Sequence, residues 1–139
     1  MFARLPIAAI VLLGAATAAM GQAQPAQKNI VTAATPTPDD RARQWLVLVD
    51  DKNYAQSWSE ASKTFQERQK TDAWVGQAQA KRAPLGAVVS RDLKTIDLSR
   101  NNTAIVSYDS VFAHRAAAVE TVTLAFENGS WAVTAYAID

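Results

Sequence analysis

The chain has 139 residues, 49% of them apolar and 19% charged, with a formal net charge of +1. That is the make-up of one folded domain, and it argues against both a disordered chain and a two-domain protein. One of the 14 basic residues, Arg4, lies in the first few positions, so the rest of the chain is balanced against its 13 acidic residues and lacks the basic excess that nucleic-acid binding uses.

The N-terminus carries a sharp signal. Met1 to Arg4 holds one positive charge, Leu5 to Met20 is an uncharged apolar run of 16 residues, and small residues with Gln follow. This is the three-part pattern of a secretory signal peptide. The run is short against the roughly 20 residues that a membrane-spanning helix needs. Cleavage after Ala19, Gly21 or Ala23 fits, with Ala23 favoured, so residues 1–23 are read as a leader. No stable membrane span remains after cleavage, and the expected location is the periplasm or the outside of the cell. No Cys follows the apolar run and none occurs anywhere, so no lipid anchor, disulfide or thiolate metal site is expected. Residues 24–37, rich in Gln, Ala, Thr and Pro, read as a flexible linker, which leaves residues 38–139 as a single domain.

Thr37 can cap a helix that Pro38 opens, and Asp39 and Asp40 suit its positive end. Ala42, Trp45, Leu46 and Val49 then recur at helical spacing. After a turn at Asp50–Asn53, a second helix carries Tyr54, Trp58, Ala61 and Phe65 on one stripe, with a kink or break expected near Ser62. A third helix, capped by Thr71, carries Trp74, Val75, Ala78 and Arg82 and stops at Pro84. The period then changes. Ala87 to Leu98 carries Val88, Val89, Leu93, Ile96 and Leu98 without strict alternation, which a long bent strand with a bulge would explain. Ala104 to Phe112 alternates, with Val106, Tyr108, Ser110 and Phe112 on one face and Ile105, Ser107, Asp109 and Val111 on the other. A turn near Ala113–Ala116, a strand through Val122 and Leu124, the hairpin pair Asn128-Gly129 and a last strand from Trp131 to Ile138 complete the chain. The expectation is an α+β domain, with three N-terminal helices packed on a curved four-stranded antiparallel meander.

Several pieces together resemble a known family: Gln44-Trp45-Leu46 with Leu48-Val49-Asp50, Tyr54 with Ser57-Trp58, Trp74-Val75, Arg82-Ala83-Pro84-Leu85-Gly86, Ser90-Arg91, and Phe112-Ala113 followed by Ala117 to Leu124. They look like the bacterial domain of unknown function 4019, found in small exported proteins. That resemblance implies no activity and no catalytic residue. The order of helices and meander is also similar to the cone-shaped nuclear transport factor 2-like fold, whose members include isomerases and hydratases with an Asp or His base beside a Tyr.

On that analogy the candidate catalytic residues are Asp109 as base, with Tyr54 or Tyr108 as hydrogen-bond donor. A desolvated carboxyl would have the raised pKa that a general base needs. On the other reading Asp109 is an ordinary polar residue on the solvent face of the sheet. Glu120 and Tyr136 are weaker candidates, Glu120 being equally suited to a cross-strand pair with Arg91 or Lys94. His114, the single histidine, falls in a turn beside Arg115. Lys81, Arg82, Arg91 and Lys94 gather around the helix-to-strand corner and form a candidate partner surface. One histidine with carboxylates makes a poor transition-metal set, Asp50, Asp51 and Asn53 lack the EF-hand pattern, and neither a G-x-S-x-G elbow nor a glycine-rich phosphate loop is present. No cofactor or metal is expected. The leading reading is a non-catalytic domain that binds a small apolar ligand or an envelope protein. The alternatives are a cone-pocket enzyme and a homodimer built on the exposed sheet face.

Overall fold

The computed structural model describes residues 34–139. The expected leader and most of the expected linker lie outside the described residues. The first helix, α1 (Pro38–Asp50), begins as its sequence dictates. The Thr37 hydroxyl accepts from the Asp40 amide at 3.1 Å, and the Asp40 carboxylate accepts from the Thr37 amide at 3.1 Å, a reciprocal cap. Its stripe of Ala42, Trp45, Leu46 and Val49 is fully buried.

The expected second helix is two helices, α2 (Tyr54–Ser59) and α3 (Lys63–Arg68). Ser62 causes the division. Its hydroxyl accepts from the Phe65 amide at 3.1 Å and caps α3, while its own amide donates to the Val133 carbonyl at 2.9 Å. The break therefore ties the helical layer to the sheet, and the three expected helices become four. In α4 (Thr71–Arg82) the cap position belongs to Lys70, with Thr71 already inside the first turn. Pro84 ends the helix through a single tight turn, Ala83–Leu85, and Gly86 follows at φ 78°, ψ −165°. A side chain there would also meet the His114 ring at 2.7 Å, so glycine is required by backbone and space together.

Strands β1 (Val88–Asp97), β2 (Thr103–Phe112), β3 (Arg115–Glu127) and β4 (Ser130–Ile138) form one antiparallel sheet in sequence order. Asn128 (φ 52°) and Gly129 (φ 82°) make the last hairpin as expected. On β2 the residues Ala104, Val106, Tyr108, Ser110 and Phe112 turn toward the helices and are buried. The irregular pattern of β1 has a definite origin. Its register against β2 slips between Val88 and Ser90 and again between Leu93 and Thr95, so Val89 and Lys94 are extra residues at two bulges. Between the bulges Arg91 lies opposite the buried Ser110 and Leu93 opposite the buried Tyr108, so both are carried on the helix-facing side.

The core joins both layers. Trp45, Phe65, Trp74 and Tyr136 pack ring against ring, with centroids 5.0 Å apart for Phe65–Trp74 and 5.6 Å for Trp45–Tyr136. Burying each such ring contributes roughly 2–3 kcal/mol. Among the described residues no helix is long and apolar enough to cross a membrane.

Candidate functional site

One part of the helix-facing side of the sheet is ionic rather than apolar. Glu120 of β3 is fully buried. One of its oxygens, Oε1, accepts from Arg91 Nε at 2.7 Å and from the Ser110 hydroxyl at 2.6 Å, and the other, Oε2, accepts from the Tyr136 hydroxyl at 2.6 Å. The remaining nitrogens of Arg91 reach across to Asp50, the last residue of α1, at 2.8 and 3.0 Å. This is the two-pronged pairing that a guanidinium makes with a carboxylate.

Arg82, at the end of α4, approaches the same carboxylates from the other side. Its Nη2 donates to Asp50 Oδ1 at 2.7 Å, its Nη1 stands 3.9 Å from Glu120 Oε2, and its guanidinium lies over the Phe112 ring, 4.9 Å from the centroid. Arg82 is 5% exposed, and its Nε and Nη1 have no hydrogen-bond acceptor among the described residues.

Several of these groups are moved away from their ordinary pKa values. Burial works to raise the Asp50 pKa, but the hydrogen bonds from Arg91 and Arg82 outweigh it and hold the carboxyl below its usual value. Burial and then the charge of Glu120 push the Tyr136 phenol far above its usual range. Burial likewise raises Tyr108, helped by the 2.7 Å hydrogen bond that its hydroxyl donates to Asp39. Arg91 is desolvated, yet its bonds to Asp50 and Glu120 more than compensate and strengthen its hold on the proton.

A cleft of about 540 Å³ opens beside the cluster, with Asp50, Lys52, Tyr54, Gln79, Arg82 and Gly86 among its lining residues. Its size falls in the range of about 300–1,000 Å³ typical of small-molecule sites. Asp50 ends α1, and Lys52 follows with a left-handed backbone (φ 65°). Arg82 and Gly86 flank the turn after α4, so the joints between elements form the walls.

The three candidate catalytic residues do not converge. Tyr108 points toward the helices and is fully buried, with its hydroxyl on Asp39. Asp109 is on the opposite face of β2, exposed, and paired with Lys94 at 3.2 Å. Tyr54 is buried in α2 and lines the cleft. The four basic residues do not share a surface either. Arg82 and Arg91 turn inward to the carboxylates, whereas Lys81 and Lys94 are exposed. The physical reason is the bulge at Val89 for Arg91 and the buried stripe of α4 for Arg82. His114 is exposed and packs its ring against Gly86.

From the sequence, Asp50 falls in a turn and Ser57 enters only through the family resemblance. Ser57 is fully buried: its hydroxyl donates to the Tyr54 carbonyl at 2.7 Å and accepts from Trp74 Nε1 at 2.9 Å, and its carbonyl accepts from Trp45 Nε1 at 2.8 Å. The available signal was Trp58 at helical spacing from Tyr54, which places Ser57 at i+3 on the same stripe.

Comparison with known proteins adds a family. Two solved structures are similar to this chain: one described as an NTF2-like transpeptidase from Campylobacter jejuni, the other as an NTF-2 like protein of unknown function from Shewanella oneidensis MR-1. The first is 20% identical, with a TM-score of 0.49, over 70% of this chain and 96% of its own. The second is 17% identical, with a TM-score of 0.46, over 73% of this chain and 98% of its own. No curated protein matches. The profile of the family described as protein of unknown function DUF4019 matches residues 41–136, which span α1 to β4 and include every member of the buried ionic cluster. The chain belongs to the DUF4019 family.

Proposed function

We propose that this is a non-catalytic, exported binding domain that receives a small molecule in the cleft beside Asp50, Lys52, Tyr54 and Arg82. The observation that carries this reading is the state of the titratable groups next to the cleft. Asp50 is held ionised below its usual range by two guanidiniums, and the phenol of Tyr136 is pushed above its own. Both oxygens of Glu120 already accept hydrogen bonds. A general acid or base works best with a pKa near the ambient pH and a free lone pair or proton directed at the substrate. This cluster instead has the features of a rigid wall. Export rests on the N-terminal leader pattern, residues 1–23.

The test is native mass spectrometry of the protein purified from its own host, beside an Ala83→Trp variant in which an indole fills the cleft. A bound mass at one per chain in the wild type, absent from the variant, is the expected result. A ligand retained by Ala83→Trp would place binding elsewhere, and turnover of that ligand by the wild type would overturn the non-catalytic reading.

A further inference from the structure

Three of the four indoles use their N–H inside the protein. Trp45 Nε1 donates to the Ser57 carbonyl, Trp58 Nε1 to the Gln69 carbonyl and Trp74 Nε1 to the Ser57 hydroxyl. The fourth, Trp131, is half-buried, has no acceptor among the described residues, and keeps its nitrogen within reach of solvent. A tryptophan in that position offers a ligand an apolar body and a free polar tip.

Its surroundings are shaped to receive one. Trp131 lies opposite Phe126 on the neighbouring strand, ring edge to ring face, with centroids 5.1 Å apart. With Leu98 and the turn between β1 and β2 they line a second cleft of about 370 Å³, which shares no lining residue with the cleft beside Asp50. Phe126 and Leu98 are 39% and 58% exposed, so the apolar part of this wall is accessible. The frame is already pinned. Ser99 donates its amide to Asp97 at 2.8 Å, Phe126 donates its amide to the Asn102 carbonyl at 2.9 Å, and Arg41 Nε donates to the Trp131 carbonyl at 3.2 Å. A wall ordered before binding lowers the entropy that a ligand must overcome.

The polar groups on the wall are neutral amides. Asn101 and Asn102 are exposed, and their side chains make no hydrogen bond among the described residues. Each amide both donates and accepts, whereas the indole only donates. Arg100 is the single charged side chain on this wall, and Asp97 lies near enough to feel its charge. A fatty chain would leave the amides and the indole N–H unused. A pyranose ring uses all of them: its C–H face packs on an aromatic ring, and its hydroxyls donate and accept.

We propose that this cleft binds a neutral saccharide, one sugar ring against the Phe126–Trp131 pair and its hydroxyls bonded to Trp131 Nε1 and the amides of Asn101 and Asn102. The site is separate from the cleft beside Asp50, and its ligand does not depend on what that cleft holds.

The experiment is a proton–nitrogen NMR correlation spectrum of the isotope-labelled protein, titrated with cellotetraose. The indole N–H resonance of Trp131, identified by its loss in Trp131→Phe, is expected to shift, while those of Trp45 and Trp74 stay in place. Asn101→Ala changes an exposed side chain and is expected to weaken the affinity about three- to tenfold, the worth of one hydrogen bond. A Trp131 resonance that does not move at millimolar sugar overturns the proposal. So does an equal shift with hexanol, which would make the cleft an apolar contact surface. An affinity unchanged by Asn101→Ala overturns the placement of the sugar between the amides and the rings.

Discussion

Replacing Glu120 by glutamine keeps the side chain's size and removes its charge. In the wild type, two buried guanidiniums face two carboxylates. Glutamine can keep its oxygen where Arg91 Nε and the Ser110 hydroxyl donate, at 2.7 and 2.6 Å. Its amide nitrogen then takes the place of Oε2, next to Arg82, and Tyr136 must turn its hydroxyl from donor to acceptor. The hydrogen bonds survive in number, but Asp50 alone now faces both arginines. Removing one partner of a buried ion pair costs about 3–5 kcal/mol, against a total stability of about 5–15 kcal/mol for a domain of this size. Urea unfolding followed by tryptophan fluorescence is a suitable assay, because Trp45 and Trp74 both pack against the Tyr136 ring, with centroids 5.6 and 6.4 Å away. Charge balance makes a stricter demand. Adding Arg91→Met to Glu120→Gln leaves one cation facing one anion, so the double variant should be more stable than Glu120→Gln alone. A loss below about 1 kcal/mol for the single variant, or simple addition of the two losses, would refute the account of this cluster as a balanced set of buried charges.

Two further outcomes are expected. The folded-state pKa of Asp50 is depressed from 3.8, so its contribution to stability is complete above that value and is lost as pH falls through the lower folded value. Equilibrium unfolding of wild type and Asp50→Asn should differ by a constant amount above about pH 5 and converge in acid; a gap that stays constant down to about pH 2 would contradict the depressed value. Gly86→Ala places a side chain at φ 78°, ψ −165° and 2.7 Å from the His114 ring, and should cost about 1–3 kcal/mol by thermal unfolding. If pairing Gly86→Ala with His114→Ala recovers the whole loss, the ring contact and not the backbone is responsible.

The periodic parts of the sequence were the readable ones. The α1 stripe, the alternation of β2 and the Asn128-Gly129 hairpin follow from local spacing, which the tertiary structure did not have to override. The division of the second helix was readable as a weakness at Ser62. Its outcome as a true break depended on an acceptor 71 positions on, the Val133 carbonyl, which no local pattern contains. The ionic cluster was hidden for a similar reason. Asp50, Arg82, Arg91 and Glu120 come from the ends or interiors of four elements, and no local pattern brings the four together. The pairing of Glu120 with Arg91 was nevertheless among the expectations and is observed at 2.7 Å.

The paired bulges of β1 have a consequence for how the strand tolerates change. Before Val89 and after Lys94, even-numbered residues face the helices, as Val88 and Ile96 do; between them the parity is inverted, and the odd-numbered Arg91 and Leu93 do so. One bulge alone would leave every later residue of the strand facing the wrong way. Two restore the phase, so the inversion is confined to Ser90–Leu93, a reversible cassette inside an otherwise ordinary edge strand. A single-residue insertion or deletion outside this cassette has to be absorbed by the strand's ends, whereas one at Val89 or Lys94 adds or removes a bulge without sending Arg91 to the other face. The position of a buried arginine is thus protected by two residues that face no part of the core.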